Sequence, residues 1–156
     1  MTVDVLPVAT EADWQDAERL IRAYLGGLTF TIDFQQLDRE MADLPAEYGP
    51  PHGGAFVAKR DDGAAVGFVG VRRFDEHDGE LKRMYVDPEG RGLGVGAALA
   101  GAAVDRARAL GYRRLLLDTV ASMTPAITIY ERLGFVQIGA YRHNPLPDAC
   151  YYALDL

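Results

Sequence analysis

At 156 residues the chain is expected to form one domain, 1–156, with a core that needs neither disulfides nor metals. Sixteen basic residues against 23 acidic ones give a net charge of −7 with no long cluster of Lys and Arg, which argues against a phosphate-tracking nucleic-acid surface and leans weakly toward a cationic partner such as an amine. No apolar run reaches membrane-spanning length, no basic segment precedes an apolar one at the start, and Cys150 is the only cysteine, so a cytoplasmic protein with no internal disulfide and no membrane contact is expected.

In chain order, Val3–Val8 reads as a first strand, and Pro7 marks a sheet edge or the strand's end because proline cannot donate to a ladder. Trp14, Ala17, Leu20, Ile21 and Tyr24 or Leu25 put an apolar stripe on a helix over Ala12–Leu25, which Gly26-Gly27 ends. A second helix is predicted over Phe34–Leu44 from Phe34, Leu37, Met41 and Leu44, with Asp33 as its cap and Pro45 closing it. Tyr48–Gly54 is loop by its glycines and prolines. Ala55–Arg60 and Ala64–Phe74, joined by Asp61-Asp62-Gly63, read as a hairpin whose strands lead on to Glu80–Val86.

The stretch from Glu80 to Gly134 organises the chain. Its strand passes through Asp87–Gly90 into Arg91-Gly92-Leu93-Gly94-Val95-Gly96, and Val95–Leu110 then reads as a helix stopped by Gly111. Glycines let the loop turn its backbone N–H groups toward one point, and the helix start adds unsatisfied donors and the positive end of a dipole. A phosphate or pyrophosphate is the natural guest, although a glycine loop alone is equally a tight turn. Arg113–Asp118, with Leu115-Leu116-Leu117, is a buried strand; Thr124-Pro125 opens a helix over Ala126–Leu133, closed by Gly134. Val136–Ile138 and Cys150–Leu156 read as strands flanking a proline-bearing loop over Tyr141–Asp148.

Two motifs now carry a resemblance. Arg91, Gly94 and Gly96 fit the pattern Arg/Gln-x-x-Gly-x-Gly/Ala, and Tyr130-Glu131-Arg132-Leu133-Gly134-Phe135 is similar to a Tyr-x-x-x-Gly-Phe signature. Together they resemble the GCN5-related N-acetyltransferase (GNAT) superfamily over Glu80–Phe135, about a third of the chain. The resemblance implies a mixed α/β (α+β) fold: a single domain with a central, mostly antiparallel mixed sheet flanked by helices. It also implies that acetyl-CoA, as cosubstrate, lies where two parallel strands, here Glu80–Val86 and Arg113–Asp118, splay apart. Members often carry an asparagine seven residues before the signature tyrosine; Met123 stands there in this chain, beside Ser122.

The chemistry asks for a neutral amine, charge stabilisation at a thioester carbonyl and a proton for the departing thiolate. An alkyl ammonium titrates near 10 and a thiol near 8.5, so a base is useful at neutral pH and the acid need only be well placed. By resemblance, Tyr130 is the acid; by its spacing with Ala126, Ile127 and Leu133 it is equally an amphipathic core residue. Glu80, eleven residues before Arg91, matches the catalytic glutamate of some members, against a solvated strand-end charge after Gly79, with Asp118 as reserve base or cap. The resemblance further implies that the backbone of Met84, Tyr85 and Val86 pairs with the pantetheine arm and that Arg91, with the N–H groups of Gly92, Leu93, Gly94, Val95, Gly96 and Ala97, holds the pyrophosphate.

His52, His77 and His143 fall in separate loops without ligand spacing, so no metal is expected; His143 alone lies where acceptors enter related folds. Phe30, Phe34, Tyr48 and Tyr151 either wall an acceptor pocket or fill core. Two other readings stand beside the enzyme: a non-catalytic acyl-CoA sensor of the same fold, and a dinucleotide-binding protein using Gly92-x-Gly94-x-x-Ala97 with Asp118. Against the latter, Lys82 and Arg83 interrupt what should be an apolar central strand, and only 38 residues follow Asp118. The expectation is a cytoplasmic acetyl-CoA-dependent N-acetyltransferase in which an amine of an unidentified small molecule or peptide attacks the thioester directly. No nucleophile in the motif region suggests an acyl-enzyme, and a homodimer, common in the family, is left open.

Overall fold

The computed structural model describes residues 2–28 and 34–156, without the side chains of Phe34 and Gln35. Seven strands form one sheet in the order β1 (Val3–Pro7), β2 (Gly54–Arg60), β3 (Ala65–Arg73), β4 (Asp78–Val86), β5 (Arg114–Val120), β7 (Ala149–Asp155), β6 (Val136–Ile138). Every neighbouring pair is antiparallel except β4 and β5, which are parallel. This is the mixed, mostly antiparallel sheet expected, and its topology has no place for a doubly wound dinucleotide fold. Pro7 ends β1 on the sheet edge, where its missing N–H leaves no ladder position empty.

Helices cover both faces. On one, α1 (Glu11–Gly26) and α3 (Leu44–Tyr48) bury Ala17, Leu20, Ile21, Leu44 and Tyr48 against Ala55, Val57, Ala65 and Phe68. On the other, α4 (Val95–Ala109) lays Val95, Leu99, Ala103 and Ala107 over Val69, Val71, Leu81, Leu115 and Leu117. Each large side chain so buried contributes about 1.5–3 kcal/mol relative to exposure. The central strand β3 is buried on both faces over most of its length, which explains why it alternates poorly and reads as a continuous apolar run.

α1 begins with a reciprocal cap: Asp13 N–H donates to Thr10 Oγ1 at 3.2 Å and Thr10 N–H to Asp13 Oδ2 at 3.1 Å. Asp13 also receives Lys59 Nζ at 2.8 Å, pinning the helix start to β2. α2 spans Phe34–Ala42; its expected cap, Asp33, and the aromatic Phe30 lie outside the described residues. Pro45 does not close α2 but sits in the first turn of α3, which Asp43 caps through a 3.2 Å bond from Ala46 N–H. Proline tolerates a first helical turn because its absent N–H would be unpaired there anyway, so Asp43-Leu44-Pro45 is a start signal. α5 (Thr124–Arg132) completes the domain, and among the described residues no helix is long and apolar enough to cross a membrane.

A candidate active site between two diverging strands

β4 and β5 pair only at Asp78–Arg114, Gly79–Leu115 and Glu80–Leu116. Beyond those positions β4 stays with β3 and β5 with β7, so the strands part and the β5-facing edge of β4 from Leu81 onward has no strand partner. A bulge in β4 accompanies the divergence. Phe68 pairs with Tyr85 and Gly70 with Lys82, so Arg83 and Met84 together oppose the one residue Val69. Arg83 takes φ +58, a left-handed conformation that costs a side-chain-bearing residue about 1–3 kcal/mol. Its guanidinium is forked onto Glu40 of α2 at 3.0 and 3.1 Å, a charge-assisted clamp that holds the strained turn in place. Bulges increase local twist, which directs β4 away from β5.

The glycine loop lies at the end of β4. Gly92 and Gly94 have φ of +81 and +72, and a Cβ at either would meet nothing, so the demand there is conformational and not for space. Gly94 caps α4 without a side-chain bond, and no acid stands in the first turn. The first N–H of this end to reach a carbonyl is that of Ala98, on Gly94 at 3.1 Å, which leaves those of Val95, Gly96 and Ala97 projecting from the helix start. Arg91 anchors its Nε on the Val86 carbonyl at 3.1 Å and keeps the rest of its exposed fork open. Gly96 serves packing instead: a Cβ there would come to 2.9 Å from Ile129 on α5.

The divergence opens a cavity of about 790 Å³. Met84, Leu117, Val120, Met123, Ala126 and Tyr130 supply apolar lining, and Arg72, Lys82, Arg83, Arg142, Glu40 and Asp118 supply charge. Tyr130 is both a core residue and part of the cavity wall. Its ring is buried in the core beside Phe135, at 5.6 Å between centroids, while its hydroxyl has no protein hydrogen bond among the described residues yet is not a sealed, unsatisfied group. Burial, with the Tyr24 hydroxyl as a second cause, pushes the Tyr130 phenol well above its ordinary value, so it stays protonated and able to donate.

Glu80 is not the solvated strand-end charge that was one of its two readings. It is the third residue of β4, not a strand end, and is fully buried. Arg72 Nε donates to its Oε1 at 2.9 Å and the Tyr141 hydroxyl to its Oε2 at 2.6 Å, with Arg142 Nη1 at 3.5 Å. It lies beneath the cavity and is absent from its lining. Asp118 does reach the lining, between Lys82 Nζ at 3.4 Å and Asn144 Nδ2 at 3.1 Å. Burial would raise its carboxyl, but Lys82, Arg142 and these hydrogen bonds hold it below the ordinary carboxylate value.

The lattice that carries these groups was not legible as a unit. Arg72 bridges Glu80 and Glu47, the latter at 2.6 Å; Glu40 receives Arg83 and, at 2.9 Å, the Tyr48 hydroxyl. Tyr48 and Tyr151 fill core and do not line the cavity, whereas Tyr24, His143 and Met123 do; the Phe34 side chain lies outside the described set. Met84 reaches the lining, while Tyr85 packs toward α1 on Tyr24 and Val86 on the α4 side. The available signal for the missed residues was the charge of Lys82-Arg83 in the middle of a strand. The weak lean toward a cationic partner from the net charge finds no counterpart here, since four cations and two carboxylates face the cavity.

Comparison with known proteins agrees with this geometry. Residues 14–135 match the family model described as "Acetyltransferase (GNAT) family". A Schizosaccharomyces pombe protein named as an uncharacterized N-acetyltransferase is 36% identical over 155 residues, 99% of this chain and 95% of that protein. Human N-acetylaspartate synthetase is 36% identical over 132 residues, covering 84% of this chain but 41% of its own length. Among solved structures, a phosphinothricin acetyltransferase of the GNAT superfamily from Sinorhizobium meliloti, in complex with acetyl-CoA, shares the fold with a TM-score of 0.77 at 22% identity, over 100% of this chain and 89% of that one. The chain belongs to the GNAT acetyltransferase family, and it is an N-acetyltransferase.

Proposed function

We propose that the protein binds acetyl-CoA in the cleft between β4 and β5 and transfers its acetyl group directly to the amine of a small acceptor. The observation that carries this reading is the early parting of the two strands, which runs an unpaired backbone edge from the glycine loop to the Tyr130 hydroxyl. The edge from Leu81 to Val86 offers main-chain groups to an extended amide-bearing arm as an added strand would. Gly92 to Ala97 and Arg91 present N–H donors suited to a pyrophosphate. The residues present therefore fit the cosubstrate.

In the transfer, the amine nitrogen bonds to the carbonyl carbon, the carbon–sulfur bond breaks, and one proton leaves the nitrogen as sulfur departs. A backbone N–H of the β4 edge polarises the carbonyl oxygen, and Tyr130 donates to the sulfur. Glu80, with both oxygens engaged by Arg72, Tyr141 and Arg142, anchors the site from below and does not take the proton. Asp118, the carboxylate on the β5 side, is the group best placed to pass it to water. The lone cysteine, buried in β7, suits the reducing interior of the cytoplasm.

The test is acetyl-CoA-dependent thiol release together with heat protection by acetyl-CoA. Protection and release in the presence of amine are expected. Absence of protection would overturn the cofactor reading, and protection without release from any amine would reassign the fold to sensing.

A further inference from the structure

We infer that the acceptor carries a carboxylate beside its amine, as an amino acid does, and that Arg142 with Lys82 receives that carboxylate. The inference rests on the acetyltransferase reading and deepens it. Of the four cations on the cavity wall, two are each held by two close bonds to carboxylates: Arg83 is forked onto Glu40, and Arg72 divides between Glu80 and Glu47. The other two are not. Arg142 makes one side-chain contact among the described residues, 3.5 Å to a Glu80 oxygen that already accepts from Tyr141 at 2.6 Å, and 27% of its side chain is exposed. Most of its planar fork is open to a ligand. Lys82 is as buried as Asp118, yet meets it only at 3.4 Å, and that carboxylate is shared with Asn144.

A buried ammonium so weakly paired is costly unless a second anion completes its shell. Glu80 and Glu47 balance the formal charge of the cluster but do not line the cavity, where four cations stand against the two carboxylates Glu40 and Asp118, so the wall a ligand meets is net positive. A carboxylate is the anion that matches a guanidinium fork two bonds at a time. The same cations assist the chemistry, because positive charge nearby lowers the pKa of the acceptor's ammonium and so favours the neutral, attacking form. A polyamine or aminoglycoside would bring several positive charges to this wall and is disfavoured by it. Acetylation balances as ammonium plus thioester giving amide, thiol and one proton, so the zwitterion that enters leaves as an anion.

The deciding experiment measures thiol release with the twenty common L-amino acids, each as free acid and as its carboxamide, alongside spermidine and kanamycin. The expected result is turnover of one or more free acids with kcat/KM about 100-fold above the matched amide, the range that loss of two charge-assisted bonds produces. Arg142→Gln should raise KM for that acid by about 10- to 100-fold while leaving KM for acetyl-CoA unchanged, and Arg142→Lys should fall between. Equal use of acid and amide, preference for spermidine or kanamycin, or release from no member overturns the inference. Heat protection by acetyl-CoA, measured in parallel, tells that failure apart from failure of the cofactor reading. An Arg142→Gln variant that melts lower and loses acid and amide turnover alike would reduce Arg142 to a structural tie.

Discussion

The two halves of the cleft are built on different principles. Toward the cosubstrate, the wall is main chain: glycines at positive φ, N–H groups at a helix start, and a strand edge without a partner. On the side proposed for the acceptor it is side chains drawn from α2, α3, β3, β4, β5 and the loop after β6, joined in an ionic lattice around Glu40, Glu80 and Asp118. Main-chain recognition needs only a local run of glycines and a helix, whereas the lattice needs residues from across the chain to converge. One half therefore depends little on its side chains, and the other depends on the particular residues that meet in the lattice.

Glu80 offers the largest contrast. If it anchors the lattice, Glu80→Gln leaves Arg72 and Arg142 without their shared anion and should cost about 3–5 kcal/mol of stability. At about 2–4 °C per kcal/mol for a chain of this size, thermal melting should fall by roughly 6–20 °C. An unchanged melting temperature with a lost kcat would make Glu80 a base and erase the distinction. Tyr130→Phe should instead leave melting and acetyl-CoA protection near wild type while lowering kcat by about 10²–10³, the effect of removing one transition-state donor. Because burial raises the Tyr130 phenol, the wild-type rate should show no falling limb from this group between pH 7 and 10, a profile steady-state thiol release will test.

On the main-chain side, Gly94→Ala forces a Cβ into φ +72 and should cost about 1–2 kcal/mol, seen as a raised KM for acetyl-CoA with KM for the acceptor unmoved. A rise in both would mean that the halves are coupled through α4. The smallest effect lies outside the cleft. Asp13 is held at about 2 by Lys59 and the Ala9 and Thr10 amides. Its folded value lies below its unfolded one, so its contribution is complete above about pH 4 and is lost as pH falls toward 2. Comparing wild type with Asp13→Asn, the difference in stability should be about 1–2 kcal/mol at pH 5, shrink to a small fraction of that by about pH 2 and vanish only below it.

What the sequence disclosed follows this division. The helix from Val95, the glycine loop, the order of elements along the chain and the helix that carries Tyr130 were legible because each is specified by residues close in sequence and by fixed periods. Glu80 was found, but its burial was not: it comes from Arg72 eight residues before it and from Tyr141 sixty-one after it, neither of which a local pattern reports. The same holds for Arg142 and Tyr24, which spacing gives no reason to pair with Lys82. The start of α3 was misread for a local reason, since proline in a first turn and proline after a last turn look alike until Asp43 is taken as a cap.

The segment between β6 and β7 rests on the sheet through two carboxylates on adjacent strands: Tyr141 and Arg142 on Glu80, Asn144 on Asp118. It behaves as a faceplate fastened at these two studs and held further by the Tyr151 hydroxyl on the Arg142 carbonyl at 3.2 Å, the Phe74–Tyr141 ring contact and Ala121 N–H on the Asp148 carbonyl at 3.0 Å. A related enzyme's segment that keeps a donor at each stud can be grafted here without disturbing the sheet, and residues between and beyond the studs can be redrawn to admit a new acceptor while the acetyl-CoA side stays as it is.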